Sequence, residues 1–132
     1  MKRVLFVCIE NSCRSQMAEA FANMYGGDDI EAYSSGSKPS GQVNPRAIQF
    51  MEELDYDLAA HSSKPLNQLP DVTFDAAITM GCGDECPYIA AHKREDWGLD
   101  DPKLMSDDDF RAVRDEIGQR VKELIEQLRE AD

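Results

Sequence analysis

Two residues near the start of the chain combine into a reactive unit. Cys8 closes the apolar run Val4-Leu5-Phe6-Val7, and Arg14 follows after five intervening residues, just ahead of the helix-like stretch that opens Ser15-Gln16-Met17-Ala18. Strand, tight loop and helix start, in that order, form an oxyanion cradle. The loop N–H groups and the first helical turn point at one spot, and the helix dipole favours negative charge there. Arg14 adds a planar fork that holds two oxygens of a tetrahedral anion. The same field favours the thiolate of Cys8, the form that attacks. Asn11 tolerates the left-handed backbone such a nest needs, and the Ser15 hydroxyl can donate to the sulfur or cap the helix. Cys-x5-Arg alone is a weak pattern in a chain with four cysteines. A strand-end cysteine buried near a surface arginine would match it too; the flanking strand and helix signals favour the reactive reading.

Elements that would position this unit are legible around it. Lys2 to Val7 reads as a buried strand of a parallel sheet, apolar without alternation. Ser15 to Tyr25 places Met17, Ala18, Phe21, Ala22 and Tyr25 at helical spacing, and Gly26-Gly27 ends the helix. Ile30 to Ser35 is a second strand, followed by the turn-rich GSKPSG. Asn44-Pro45 is a helix start with Ile48, Met51 and Leu54 on one face. Leu66 to Leu69 reads as a short helical turn. Phe74 to Met80 is a third buried strand running into a second cysteine loop, GCGDECP. Trp97-Gly98-Leu99 suggests a short fourth strand, and Asp100-Asp101-Pro102 a turn. Ser106 caps the last helix, whose stripe of Phe110, Val113, Ile117, Val121, Leu124 and Leu128 is a core face. The alternation implies a three-layer α/β/α domain on a four-stranded parallel sheet, with 1–132 as a single domain and the reactive site at the carboxyl ends of the strands.

Composition bounds the function. The 132 residues are 42% hydrophobic and 30% charged, as in soluble globular proteins. A net charge of −12 disfavours nucleic acid and anionic membrane surfaces, so the positive field must be local. The apolar run after Lys2-Arg3 stops at Glu10, too short for a signal peptide, and no later run would span a bilayer. The expectation is a cytoplasmic monomer, where paired cysteines tend to be redox-active, catalytic or metal-binding.

Cys8-Ile9-Glu10-Asn11-Ser12-Cys13-Arg14-Ser15-Gln16-Met17 closely resembles the active-site segment of the arsenate reductases built on the low-molecular-weight tyrosine phosphatase fold. Three further stretches resemble that family in order: His61-Ser62-Ser63-Lys64-Pro65-Leu66, the redox segment from Ile78 through Cys82 and Cys86 to Pro87, and Asp96-Trp97-Gly98-Leu99-Asp100-Asp101-Pro102. The resemblance implies that Cys8 attacks arsenate held by Arg14 and the loop residues Glu10, Asn11, Ser12, Cys13 and Ser15, with phosphate or sulfate as analogues. Asp101 would protonate the departing oxygen. Cys82 would attack Cys8 and release arsenite, and Cys86 would take over Cys82. Thioredoxin, or a glutaredoxin- or mycoredoxin-type donor, would then reduce the resulting disulfide, with no bound cofactor or metal.

Other readings compete. A low-molecular-weight tyrosine phosphatase would use the same Cys8, Arg14 and Asp101, but it usually carries proline where Gln16 stands and an aromatic residue where Lys103 stands. A zinc or redox-sensing protein would use Cys82 and Cys86, whose Cys-x3-Cys spacing suits a metal, with His92 or Cys13 as further ligands. That leaves Arg14 and Asp101 unexplained. Cys13 is expected to pack in the core, and His61 and His92 to be satisfied or surface histidines. Glu10 stands where most of the family has glycine, and a carboxylate there repels an anion unless it is turned away.

Overall fold

The computed structural model describes residues 1–81 and 89–130. Its core is a four-stranded sheet of β1 (Lys2–Cys8), β2 (Ile30–Gly36), β3 (Phe74–Thr79) and β4 (Ala91–Asp96), in the order β2-β1-β3-β4. All three pairings are parallel. The strand carrying Cys8 is therefore central, with its residues Val4 to Cys8 buried. This is the α/β architecture expected from the alternation of strand and helix signals.

Among the described residues, three α-helices accompany the sheet: α1 (Arg14–Gly26), α2 (Pro45–Glu52) and α3 (Asp107–Glu130). Met17, Phe21 and Ala22 of α1 and Ile117, Val121 and Leu124 of α3 join Val4, Phe6 and Ile78 of the sheet in the main apolar cluster. Gly118 lets α3 approach α1 closely, since a Cβ there would stand 2.9 Å from Phe21 Cε1. Phe50 of α2 meets Phe110 of α3 at a ring-centroid distance of 4.7 Å. On the opposite face, Leu5, Val7 and Phe74 are covered by Leu66, Leu69, Val72 and Ile89. Leu66 belongs to the short helical turn expected there, a 3-10 turn over Leu66–Gln68.

Caps behave as read. The Asn44 side chain accepts from Arg46 N, with Pro45 opening α2, and Ser106 Oγ accepts from Asp109 N at 3.2 Å. Three details differ. The fourth strand lies over Ala91–Asp96, not Trp97–Leu99. As a charged edge strand, AHKRED lacks the apolar run that marks a buried one, while the apolar Trp97 and Leu99 follow it as buried residues beyond the strand's end. The α2 face is rotated: Ala47, Phe50 and Met51 are buried, whereas Ile48 and Leu54 only flank the core. Tyr25 at the end of α1 is exposed and stacks on Phe21 instead of entering the core.

Candidate active site

The loop between β1 and α1 is shaped by hydrogen bonds to its carbonyl oxygens. Ile9 O accepts from Lys38 N (2.8 Å), Glu10 O from Ser40 N (3.0 Å), and Ser12 O from Asn44 N (2.8 Å). Asn11 O accepts from Gln16 Nε2 at 3.1 Å, and Glu10 O also from Ser63 Oγ at 3.0 Å. In a trans peptide the next N–H points away from the carbonyl. Turning the carbonyls of residues 9, 10 and 12 toward the segments at 38–44 and 63, and that of Asn11 toward Gln16, therefore turns the N–H groups of residues 10–13 the other way, as an anion nest requires. Asn11 sits at φ 49°, in the left-handed region expected for it.

Gly36, at the end of β2, permits this path. A Cβ at that position would lie 2.6 Å from Ile9 O and 2.9 Å from Asn11 N.

Cys8 is buried at the end of β1, and its Sγ lies 2.9 Å from Ser15 Oγ. Direction along this contact follows from its neighbours. Lys64 N donates to Asn11 Oδ1 at 2.7 Å, which fixes Asn11 Nδ2 as the donor to Ser15 Oγ at 2.8 Å. The serine oxygen is thereby an acceptor from Asn11, and its own proton is free to point at the sulfur. Ser15 thus faces the Cys8 sulfur; the N-cap position of α1, Cys13, carries no side-chain cap.

Gln16 extends the network. Its Nε2 donates to Asn11 O, Asn11 Oδ1 and Ser62 O, and its Oε1 lies 3.0 Å from His61 Nδ1. His61 Nδ1 also faces Glu19 Oε2 at 3.4 Å, and Nε2 meets Tyr56 OH at 2.6 Å. Burial pulls the His61 pKa below its ordinary value despite the attraction of Glu19. A neutral ring with the proton on Nδ1 suits every partner. His61 is the satisfied histidine expected, and His92 is exposed on β4.

Arg14, buried at the start of α1, donates from Nη1 to Met80 O (2.6 Å) and Leu99 O (2.7 Å). Those carbonyls stand at the end of β3 and two residues before Asp101. They fix the guanidinium plane, and among the described residues its Nε–Nη2 edge has no acceptor. That edge is the two-toothed one suited to an oxyanion. Gly81 clears room, because a Cβ there would come within 2.9 Å of Arg14 Nη1.

Asp101 lines the same cleft of about 390 Å³ as Cys8, Glu10, Ser12, Cys13 and Arg14. Its segment is held from the other side by Arg46, whose Nη1 donates to Lys103 O at 2.9 Å and whose Nη2 reaches Asp107 at 3.1 Å. Arg46 itself lies over the Phe110 ring. Glu10 is paired with Lys103, with Nζ 3.3 and 3.4 Å from the two carboxylate oxygens. Cys13 is a buried core residue, and burial pushes its thiol pKa well up, which suits packing and not attack.

The site residues Cys8, Glu10, Asn11, Ser12, Cys13, Arg14, Ser15 and Asp101 are thus gathered at the carboxyl ends of β1 and β3. Cys82 and Cys86 lie outside the described residues. The clamp by Arg46, the Glu10–Lys103 pair and the Gly36 approach were not read from the sequence. Each joins residues far apart in the chain, and only Gly36, closing a strand beside a turn-rich loop, left a local signal.

A parallel sheet with a cysteine and an arginine bracketing a carbonyl-out loop at its carboxyl edge defines a class of oxyanion-handling α/β proteins. Residues 3–132 match the low molecular weight phosphotyrosine protein phosphatase family. The chain belongs to that family of enzymes. Within it, arsenate reductase 2 of Staphylococcus saprophyticus is 40% identical over 129 residues, 95% of this chain and 97% of that protein. The glutaredoxin arsenate reductase of Synechocystis is 40% identical over 131 residues, 97% and 99% of the two chains. The structure is similar to that of an arsenate reductase in the phosphate binding state, with a TM-score of 0.89, 40% identity, and coverage of 97% and 99%.

Proposed function

We propose that this chain reduces arsenate to arsenite through a Cys8–arsenic adduct and a disulfide relay of Cys8, Cys82 and Cys86, in arsenic detoxification. The observation that carries the reading is the directed chain Lys64 N–H, Asn11, Ser15, Cys8 Sγ, which ends in the cleft lined by Arg14 and Asp101. The relatives named arsenate reductases support it. The Cys8 thiolate forms an S–As bond, and one arsenate oxygen leaves as water with a proton from Asp101. The Cys82 thiolate then attacks Cys8 Sγ. The S–As bond breaks, its electron pair stays on arsenic, and As(V) becomes As(III) as two thiols become one disulfide. The Cys86 thiolate attacks Cys82 Sγ and frees Cys8. A thiol donor, thioredoxin or glutaredoxin with glutathione, reduces the Cys82–Cys86 disulfide.

The test is arsenate-dependent NADPH oxidation with each donor system, on wild type and on Cys8→Ser, Cys82→Ser and Cys86→Ser. The reading expects turnover in wild type with one of the donors and none in Cys8→Ser. Cys86→Ser should release about one equivalent of arsenite and then stop. Reduction retained in Cys8→Ser, or arsenate-independent phosphate monoester hydrolysis as the sole activity, would overturn it.

A further inference from the structure

Glu10 poses a problem that the anion cleft does not solve by itself. A carboxylate on the rim of an oxyanion site is unfavourable for binding, yet Glu10 lines the cleft together with Cys8 and Arg14. Its side chain is partly exposed, as are those of Lys103 and Asp101, whereas Arg14 and Cys8 are buried. These three residues therefore form the mouth, and the nucleophile and guanidinium lie deeper.

Lys103 crosses this mouth. It comes from the segment after Asp101 and touches both oxygens of Glu10, on the opposite wall, at 3.3 and 3.4 Å. Its Nζ also stands 3.9 Å from Asp101 Oδ2. Ser12 Oγ meets Glu10 Oε2 at 3.5 Å. A second, adjacent groove of about 280 Å³ is lined by Ser40, Gln42, Asn44 and Pro45, and by the same Glu10, Ser12 and Lys103. The ion pair is thus a shared wall: the anion cleft lies on one side of it and the neighbouring groove on the other.

We infer that the Glu10–Lys103 pair is a selectivity bar, which restricts the cleft to free tetrahedral oxyanions and excludes their organic monoesters. This rests on the proposed oxyanion site at Cys8 and Arg14. An inorganic anion enters with all four oxygens inside the cleft. A monoester must let its organic group leave through the mouth, and the space beside the mouth, the Ser40–Pro45 groove, is closed off by the paired side chains. Lys103 also cancels the repulsion that Glu10 alone would exert on the entering anion. Selectivity of this kind is exclusion of the wrong ligand, not extra contact with the right one.

The test reads binding and does not require reduction. Protection of Cys8 against iodoacetamide is measured with inorganic phosphate and with phenyl phosphate, giving a ratio of apparent dissociation constants. The doubly substituted Glu10→Gly/Lys103→Ala removes the wall without changing net charge. Its ratio should shift at least about tenfold toward phenyl phosphate relative to wild type. Lys103→Ala, outside the loop, opens the bar without altering the loop backbone. It should weaken phosphate about threefold or more, because Glu10 is left uncompensated, while moving the ratio in the same direction. An unchanged ratio in both variants, with phosphate still protecting Cys8, would overturn the bar. Failure of phosphate to protect Cys8 in wild type would instead overturn the oxyanion site on which it rests.

Discussion

Asn11→Ala tests whether the loop is held by the side chain at its tightest point. Asn11 is fully buried and sits at φ 49°. The substitution deletes the bond to Ser15 Oγ (2.8 Å) and the acceptor for Lys64 N (2.7 Å) and for Gln16 Nε2 (3.0 Å). Gln16 keeps Asn11 O and Ser62 O, so it is not stranded. Lys64 N–H loses its acceptor, at about 1–3 kcal/mol, and the Ser15 bond contributes about 0.5–1.5 kcal/mol net. Alanine in the left-handed region adds about 1 kcal/mol relative to asparagine. The expected loss is about 2.5–5.5 kcal/mol, a large part of the roughly 5–15 kcal/mol that holds a domain together. Asn11→Gly removes the same bonds but tolerates the backbone, so it should be about 1 kcal/mol less damaging. Urea unfolding of the three proteins, with equal slopes, measures both differences. A loss below about 1 kcal/mol in Asn11→Ala would refute the view that this network sets the loop.

Other expectations follow from the same geometry. Gly36→Ala forces a Cβ against Ile9 O and Asn11 N, so thermal unfolding should show a loss of about 1–3 kcal/mol and phosphate should protect Cys8 less well. Asp101→Asn should slow arsenate reduction about 10²–10⁴-fold in steady-state assays while leaving phosphate protection of Cys8 largely intact. His61 provides a pH dependence of stability. Burial depresses its pKa in the folded protein, so the unfolded chain binds the proton more readily. The stabilisation is complete above the unfolded value of about 6.5 and is lost as pH falls below it. Melting temperatures measured from pH 7.5 down to 5 should fall more steeply for wild type than for His61→Gln; parallel curves would remove His61 from the account.

Much of the fold was legible because its signals are local. The β1 run, the Asn44-Pro45 start of α2 and the Ser106 cap each depend on neighbours within a few residues. The same holds for Cys8, Arg14 and Asn11, whose places follow from strand, loop and helix in series. The edge strand was misplaced because burial, not hydrogen bonding, leaves the apolar signature, and AHKRED is paired without being buried. The hydroxyl of Ser15 could serve either the helix or the sulfur on sequence alone. Only the position of Lys64 N, far along the chain, decides the direction of the Asn11 amide and so frees that proton for Cys8. Likewise, Glu10 reads as a defect until Lys103 is seen across the mouth.

The placement of charge explains how a chain of net charge −12 presents a site for an anion. Its acidic groups are mostly at the surface, where water and salt screen them beyond about 8–10 Å. Several are also engaged locally, Glu53 by Arg111 and Arg114, Asp29 by Arg129, and Asp107 by Arg46. Arg111 and Arg114 hold the Glu53 carboxyl down at about 2, so it stays charged and paired through the working pH range. Arg14, by contrast, is buried, and its hydrogen-bond partners among the described residues are neutral carbonyls that orient it without cancelling its charge. A cation in that environment is screened far less than the carboxylates outside. The short-range field at the cleft floor is therefore positive although the long-range field of the molecule is negative. On the proposed reading, anion binding then depends on Arg14, the loop N–H groups and the neutralised rim, not on the overall charge of the protein.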